Sequence, residues 1–219
     1  MFKNFWKEAF RVFQGSYLTA QIKAGRGEFL EPGGFQTTGT VYVQDWMAYP
    51  YLAGKIDAHG MGEFLNEYIG ISMTVIEAQG GHVIDIIGDH VMAYFDPEEH
   101  GDHASRAART GQLVAGRLSG SSMQAFNAGL APVSVGLDTG PVFMGNFGTR
   151  ERLKFTIAGH RVNRAFRLAG LYAVYGAQVI MSEDTYARLG QSHLARELDL
   201  IASKGDVEPL RIYEYAGEL

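Results

Sequence analysis

Gly80–Phe95 reads GGHVIDIIGDHVMAYF, two short β-rich runs, His82–Ile87 and His90–Phe95, joined at Gly88-Asp89. Two residues of Gly/Asp type between two such runs signal a β-hairpin. Working outward, TVYVQD at Thr40–Asp45 predicts a strand, and a periodic stretch from about Leu52 to Ala78 predicts a long helix between that strand and the hairpin. The result is a βαββ unit, in which the first strand lies beside the hairpin. Asp45 at the strand end and Asp89 at the hairpin tip can then converge at one edge of the sheet. Paired Asp oxygens suit hard cations such as Mg²⁺ or Mn²⁺, especially where a triphosphate supplies the remaining ligands. Taken alone, Asp89 reads better as an ordinary turn residue of a Gly-Asp hairpin.

Beyond the hairpin, Asp102–Leu118 reads as a helix. Pro132–Asp138 and Val142–Phe147 read as a second strand pair around Thr139-Gly140. Phe155–Ile157 is a short strand leading into a helix from about Arg161 to Tyr175. Val179–Met181 is a strand, Ser182–Leu189 a helix capped by Ser182, and Leu210–Tyr215 a final strand. The order β-α-β-β-α-β, with extra elements appended, predicts an α+β fold with helices over one mixed sheet. Upstream, Phe2, Phe5, Trp6, Ala9, Phe10 and Phe13 recur at helical spacing, with Lys3, Lys7 and Arg11 on the other side. Such a basic amphipathic helix can lie on a membrane; packing on the body or on a second subunit is the simpler reading. Gly25–Gly39 has the glycine and proline density of a linker, which divides the chain into 1–38 and 39–219.

Composition narrows the function. The 219 residues are 46% hydrophobic and 20% charged, enough for a sizeable core. A formal charge of −5 argues against nucleic-acid binding driven by net charge. The absence of cysteine excludes disulfides, thiolate metal sites and cysteine nucleophiles. No apolar run approaches the roughly 18 residues of a membrane span, and Lys3, Lys7, Glu8 and Arg11 interrupt the N-terminus, so a soluble cytoplasmic protein is the default. The 28 glycines exceed the usual share of about 7% and point to tight turns or close backbone approaches.

Four stretches, in order, resemble class III nucleotidyl cyclases, the family of most adenylate and guanylate cyclases. They are GGHVIDIIGDHVMAYF, GLDTGPVFMGNFGTRERLKFTIAG, FTIAGHRVNRAFRLAGL and RELDLIASKGDVEPLRIYEY, and the resemblance runs from about Thr40 to Tyr215. It implies a ferredoxin-like βαββαβ core with appended strands and helix, ending in a Lys-Gly hairpin and working as a homodimer. Asp45 and Asp89 would hold two divalent metals, Mg²⁺ or Mn²⁺. Asn163 would orient the ribose, and Arg167, on the same helix face, would stabilise charge on the α-phosphate. Lys204 would contact the terminal phosphates, with Arg152 assisting and Arg150 as its competitor. In the family the metal residues come from one chain and Asn, Arg and Lys from its partner, so two shared sites are expected.

The departures bear on the substrate. Where adenylate cyclases carry a base-reading Lys, this chain has Asp85; where they usually carry an Asp, it has Thr156. An ionised Asp85 facing adenine N1 opposes two acceptors, and an unpaired buried polar group costs roughly 1–3 kcal/mol. Asp85 suits a ring N–H, offered by uracil N3 or guanine N1, or the amino group of cytosine. Phe166, where the family is usually small, and the bulky Trp46–Tyr51 loop would favour a one-ring base if they lie near the pocket; packing in the core or the dimer interface is the competing reading. UTP is therefore expected ahead of CTP, with GTP the main alternative and ATP last. The compact architecture also resembles pyrimidine cyclases of bacterial antiphage signalling, which implies a downstream cyclic-nucleotide effector. His160 reads as a hydrogen-bonding loop residue. Retention of Asp45, Asp89, Asn163, Arg167 and Lys204 argues against a catalytically silent cyclase-like module. The lack of a GG[DE][DE]F-type hairpin argues against a diguanylate-type enzyme.

Overall fold

The computed structural model describes residues 2–121, 133–202 and 207–219. In chain order the elements are α1 (Phe2–Lys23), a 3-10 turn (Gly27–Leu30), β1 (Gly33–Trp46), α2 (Tyr49–Leu52), α3 (Ala58–Ala78), β2 (Gly81–Ile87), β3 (His90–Phe95) and α4 (His103–Ser119). They continue with β4 (Val133–Thr149), β5 (Arg152–Ala158), α5 (His160–Gly170), α6 (Tyr172–Tyr175), β6 (Val179–Ser182), α7 (Glu183–Tyr186), β7 (His193–Ile201) and β8 (Leu210–Glu218). One mixed sheet runs β2-β3-β1-β4-β6-β8-β7, with β5 paired to β4. The β4–β6 pairing is parallel and the others are antiparallel. The α+β architecture predicted from the sequence is the one observed.

Strand alternation divides β1 between two cores. Tyr42 and Trp46 face α3 and α4, packing with Tyr68, Ile76, Ala107 and Leu118. Val41 and Val43 face the opposite way, towards Tyr17 and Leu18 of α1, Phe155 and Ile157 of β5, and Val162 and Ala165 of α5. Asp45, two residues beyond Val43, shares that second face. In β3 the alternation puts Val91, Ala93 and Phe95 in the first core and Met92 and Tyr94 in the second, so His90 joins Asp45's side.

Several boundaries differ from the sequence reading. The strand pair expected around Thr139-Gly140 is a single strand, β4, and the turn comes at Arg150-Glu151. The reason is β1, which pairs with β4 from Gly33↔Asn146 to Trp46↔Val133, across the Gly39↔Gly140 position. Gly39 leaves room for the Tyr94 ring, which a Cβ would meet at 2.4 Å, and Gly140 for Arg161, at 2.5 Å. These glycines clear space for side chains and make no turn there. Gly33–Gly39 is likewise strand, where linker composition was read, and β1 begins seven residues before the expected Thr40. The helix expected from Leu52 is broken by Gly54, and α3 starts at Ala58 behind Asp57, which accepts from the Gly60 N–H at 2.8 Å. The helix expected to reach Tyr175 ends at Gly170. His160, read as a loop residue, is the first residue of α5. The N-terminal helix continues past residue 14 to Lys23, with a kink at Gly15 (φ 80°). β7, which periodicity had not indicated, pairs with β8 in the C-terminal hairpin that the resemblance implied.

Candidate active site

Asp45 and His90 are cross-strand partners in the β1–β3 register, and Asp89 sits in the Gly88-Asp89 turn immediately before β3. The fold therefore brings the two predicted carboxylates together and adds an imidazole. His90 Nδ1 lies 3.3 Å from Asp89 Oδ1, and its Nε2 lies 3.7 Å from Asp45 Oδ1. One ligand atom from each of Asp45, Asp89 and His90 can be chosen so that all lie within 4.8 Å of one another. Burial pushes the Asp45 carboxyl above its usual range, His90 opposes that shift, and the charge of Asp89 adds to it. A divalent cation would relieve this repulsion; the two carboxylates are the oxygen donors that Mg²⁺ or Mn²⁺ takes, whereas the imidazole beside them is a ligand type better suited to softer metals such as Zn²⁺. The residues fit a divalent ion. Sequence reasoning missed His90; the strand register that places it opposite Asp45 is the signal that could have found it.

Asn163 and Arg167 lie exposed on α5, four residues apart, while Val162, Ala165, Leu168 and Ala169 bury its other side. Two features fix this helix. Gly136 of β4 lies so close that a Cβ there would stand 2.0 Å from the Ala165 carbonyl oxygen. Arg161 then donates to Asp138 Oδ1 at 3.1 Å and also to Asp184, while Ser182 donates to the same Asp138 oxygen at 2.6 Å. Asp138 is wholly buried, and burial raises its pKa against the pull of Ser182, Arg161 and Arg164. This clamp at the base of α5 was also missed in the sequence, because its members are scattered between Asp138 and Asp184. Phe166 turns to the neighbouring side and packs against His90, ring centroids 5.5 Å apart, beside the carboxylates of its own chain.

Asp85 stands on β2 next to a β-bulge, its side chain only 13% exposed. The Ile86 N–H donates to its Oδ1 at 3.0 Å, and the Lys154 ammonium of β5 lies 2.5 Å from its Oδ2. Asp85 therefore carries its own cation, a partner the sequence reading did not foresee. Thr156, two residues along β5 from Lys154, is half-buried. Of the expected bulk, Trp46 is fully buried and stacked on Tyr68 at 5.3 Å, which removes it from any base pocket; Tyr51 is half exposed. Arg152 is exposed at the start of β5, and Arg150 is drawn to Glu31 at 3.5 Å. Lys204 lies outside the described residues.

Fold and cluster together define an α+β domain with a candidate divalent-cation centre at one sheet edge. The chain belongs to the adenylate and guanylate cyclase catalytic domain family, whose model matches residues 37–213. An adenylate cyclase of Anabaena cylindrica is 32% identical over 181 residues, covering 80% of this chain and 36% of that protein. The chain thus spans about a third of that relative's length. Among solved structures, a bacterial light-regulated adenylyl cyclase superposes with TM-score 0.84 at 21% identity, covering 98% of this chain and 63% of that one. The adenylyl cyclase CyaB from P. aeruginosa gives 0.74 at 24% identity, covering 85% and 97%. Both share the fold. Among the described residues, no helix is long and apolar enough to cross a membrane.

Proposed function

We propose that the chain is a nucleotidyl cyclase converting a nucleoside triphosphate, UTP ahead of CTP, into a 3′,5′-cyclic nucleotide and pyrophosphate. The observation that carries the reading is the convergence of Asp45 and Asp89, with His90, in a chain of the cyclase family. Two Mg²⁺ or Mn²⁺ ions at the two aspartates, when bound, would activate the ribose 3′-hydroxyl and neutralise the triphosphate. Asn163 then orients the ribose and Arg167 balances charge developing on the α-phosphate, while Lys204 and Arg152 hold the outer phosphates. The 3′-hydroxyl gives its proton to solvent, its oxygen bonds to the α-phosphorus, and the bond from the α-phosphorus to the α–β bridging oxygen breaks, releasing pyrophosphate. Asn163 and Arg167 reach the metal-bearing edge of a second copy, so the working unit is a homodimer with two shared sites. We extend the proposal to a cytoplasmic setting in antiphage signalling through a cyclic-nucleotide effector. The division expected at residue 38 falls inside β1 (Gly33–Trp46), and the segment before that strand packs on the rest of the chain through Tyr17, Leu18 and Phe29.

Asp85 supports the base assignment as a half-desolvated carboxylate that accepts from a ring N–H. Guanine N1–H satisfies the same acceptor, so GTP is the second reading. The test is incubation with each of ATP, GTP, CTP and UTP plus Mn²⁺, with products identified by mass and chromatography. Cyclic UMP as the main product is expected. A cyclic purine alone leaves the cyclase and removes the pyrimidine; no cyclic product from any of the four removes both.

A further inference from the structure

The His90 imidazole stands between the two carboxylates, and the backbone puts it there. The β1–β3 register sets His90 opposite Asp45, and the turn before β3 sets Asp89 beside it. Its two nitrogens face different carboxylates, Nδ1 at 3.3 Å from Asp89 Oδ1 and Nε2 at 3.7 Å from Asp45 Oδ1. Neighbouring donors in an octahedral shell with bonds of about 2.1 Å stand about 3 Å apart, so these spacings are close to those of ligands to one ion. The three side chains are partly withdrawn from water, with Asp45 25%, Asp89 16% and His90 32% exposed. Phe166 of α5 flanks the imidazole, tilted 41° at a centroid distance of 5.5 Å, and limits how far the ring can turn away.

We propose that His90 is a third metal ligand at this centre, and that the centre accordingly prefers first-row divalent ions that accept nitrogen, Mn²⁺ and more strongly Co²⁺, over Mg²⁺. This rests on the reading of Asp45 and Asp89 as metal ligands. Mg²⁺ takes an oxygen shell and gives up its water reluctantly, so an imidazole adds little to its affinity. First-row ions accept imidazole, with affinity rising from Mn²⁺ through Co²⁺. The gain supplied by one nitrogen therefore grows along the series Mg²⁺, Mn²⁺, Co²⁺. A gain from charge alone would be the same for all three. In the opposing role, a hydrogen-bond partner that occupies the carboxylate oxygens, His90 would compete with every ion, and its removal would tighten all of them.

The experiment titrates the full chain, without nucleotide, with Mg²⁺, Mn²⁺ and Co²⁺ by calorimetry, comparing wild type with His90→Ala and with Asp45→Ala as the control that removes the centre. His90→Ala is expected to leave Mg²⁺ affinity within about 2-fold, to weaken Mn²⁺ about 3-fold or more and to weaken Co²⁺ about 10-fold or more. Pulsed EPR of Mn²⁺-loaded wild type should show coupling to an imidazole nitrogen that both variants lack, and the wild-type signal is read whether or not His90→Ala folds. Equal change for all three ions, no change, or Mn²⁺ bound without nitrogen coupling overturns His90 as a ligand and leaves the two aspartates as the metal site. Wild-type binding of no ion beyond what Asp45→Ala retains overturns the metal reading of the aspartates, and the proposed function with it.

Discussion

Asp45, the proposed metal ligand on β1, is held at a cost to stability. It ends a strand whose preceding alternate residues, Val41 and Val43, are fully buried, and it meets a second carboxylate with no hydrogen-bond donor strong enough to offset the burial. Asp45→Asn should therefore raise the melting temperature of the metal-free protein while reducing cyclisation to background; thermal melts in chelator alongside a product assay check both. Arg167→Ala, which removes one preorganised donor, should lower kcat about 10²–10³-fold with KM little changed. At this scale the positions of the aspartates were legible, because Gly-Asp between two β runs fixes a hairpin tip and hydrophobic alternation sets the strand end; their proposed metal role came from the family resemblance. Lys154 and His90 were not. Each acquires its partner through pairing across strands or packing between β2 and β5, and neither pattern is written in local spacing.

At the scale of elements, placement of α5 decides whether Asn163 and Arg167 can work, and Gly136 sets that placement. Gly136→Ala would drive a methyl into the Ala165 carbonyl and the Ala169 N–H, 2.0 and 2.4 Å away. Overpacking of this kind costs about 1–3 kcal/mol, readable by denaturant unfolding, and should lower activity by tilting the helix. A second element-level device is the buried hydrogen bond between His103 of α4 and Thr40 of β1, 2.8 Å long. Burial lowers the His103 pKa from its ordinary 6.5, with Arg188 adding to the shift. The unfolded chain therefore takes up the proton first as pH falls, so stability present above pH 6.5 is lost below it. His103→Gln should flatten that part of the stability–pH curve; an unchanged slope in urea titrations between pH 5 and 7 would reject the assignment. The helices and the hairpin could be read from periodicity, but the length of β4 could not. Thr139-Gly140 has turn chemistry, and only the unbroken partner strand β1 overrides it.

For the whole molecule, the proposed function divides the site into two halves on each copy: the carboxylates at β1 and the β2–β3 hairpin, and Asn163 with Arg167 on α5. The account requires these to meet between copies. Asp45→Ala and Asn163→Ala proteins, each inactive alone, are mixed under conditions where subunit exchange is verified by mass, and cyclic nucleotide is then quantified with Mn²⁺. A mixed dimer has one site with both mutations and one wholly wild type, so activity should return to about a quarter of the wild-type level for equal, random exchange. Exchange without any return of cyclic product would contradict the shared site, and with it the central claim.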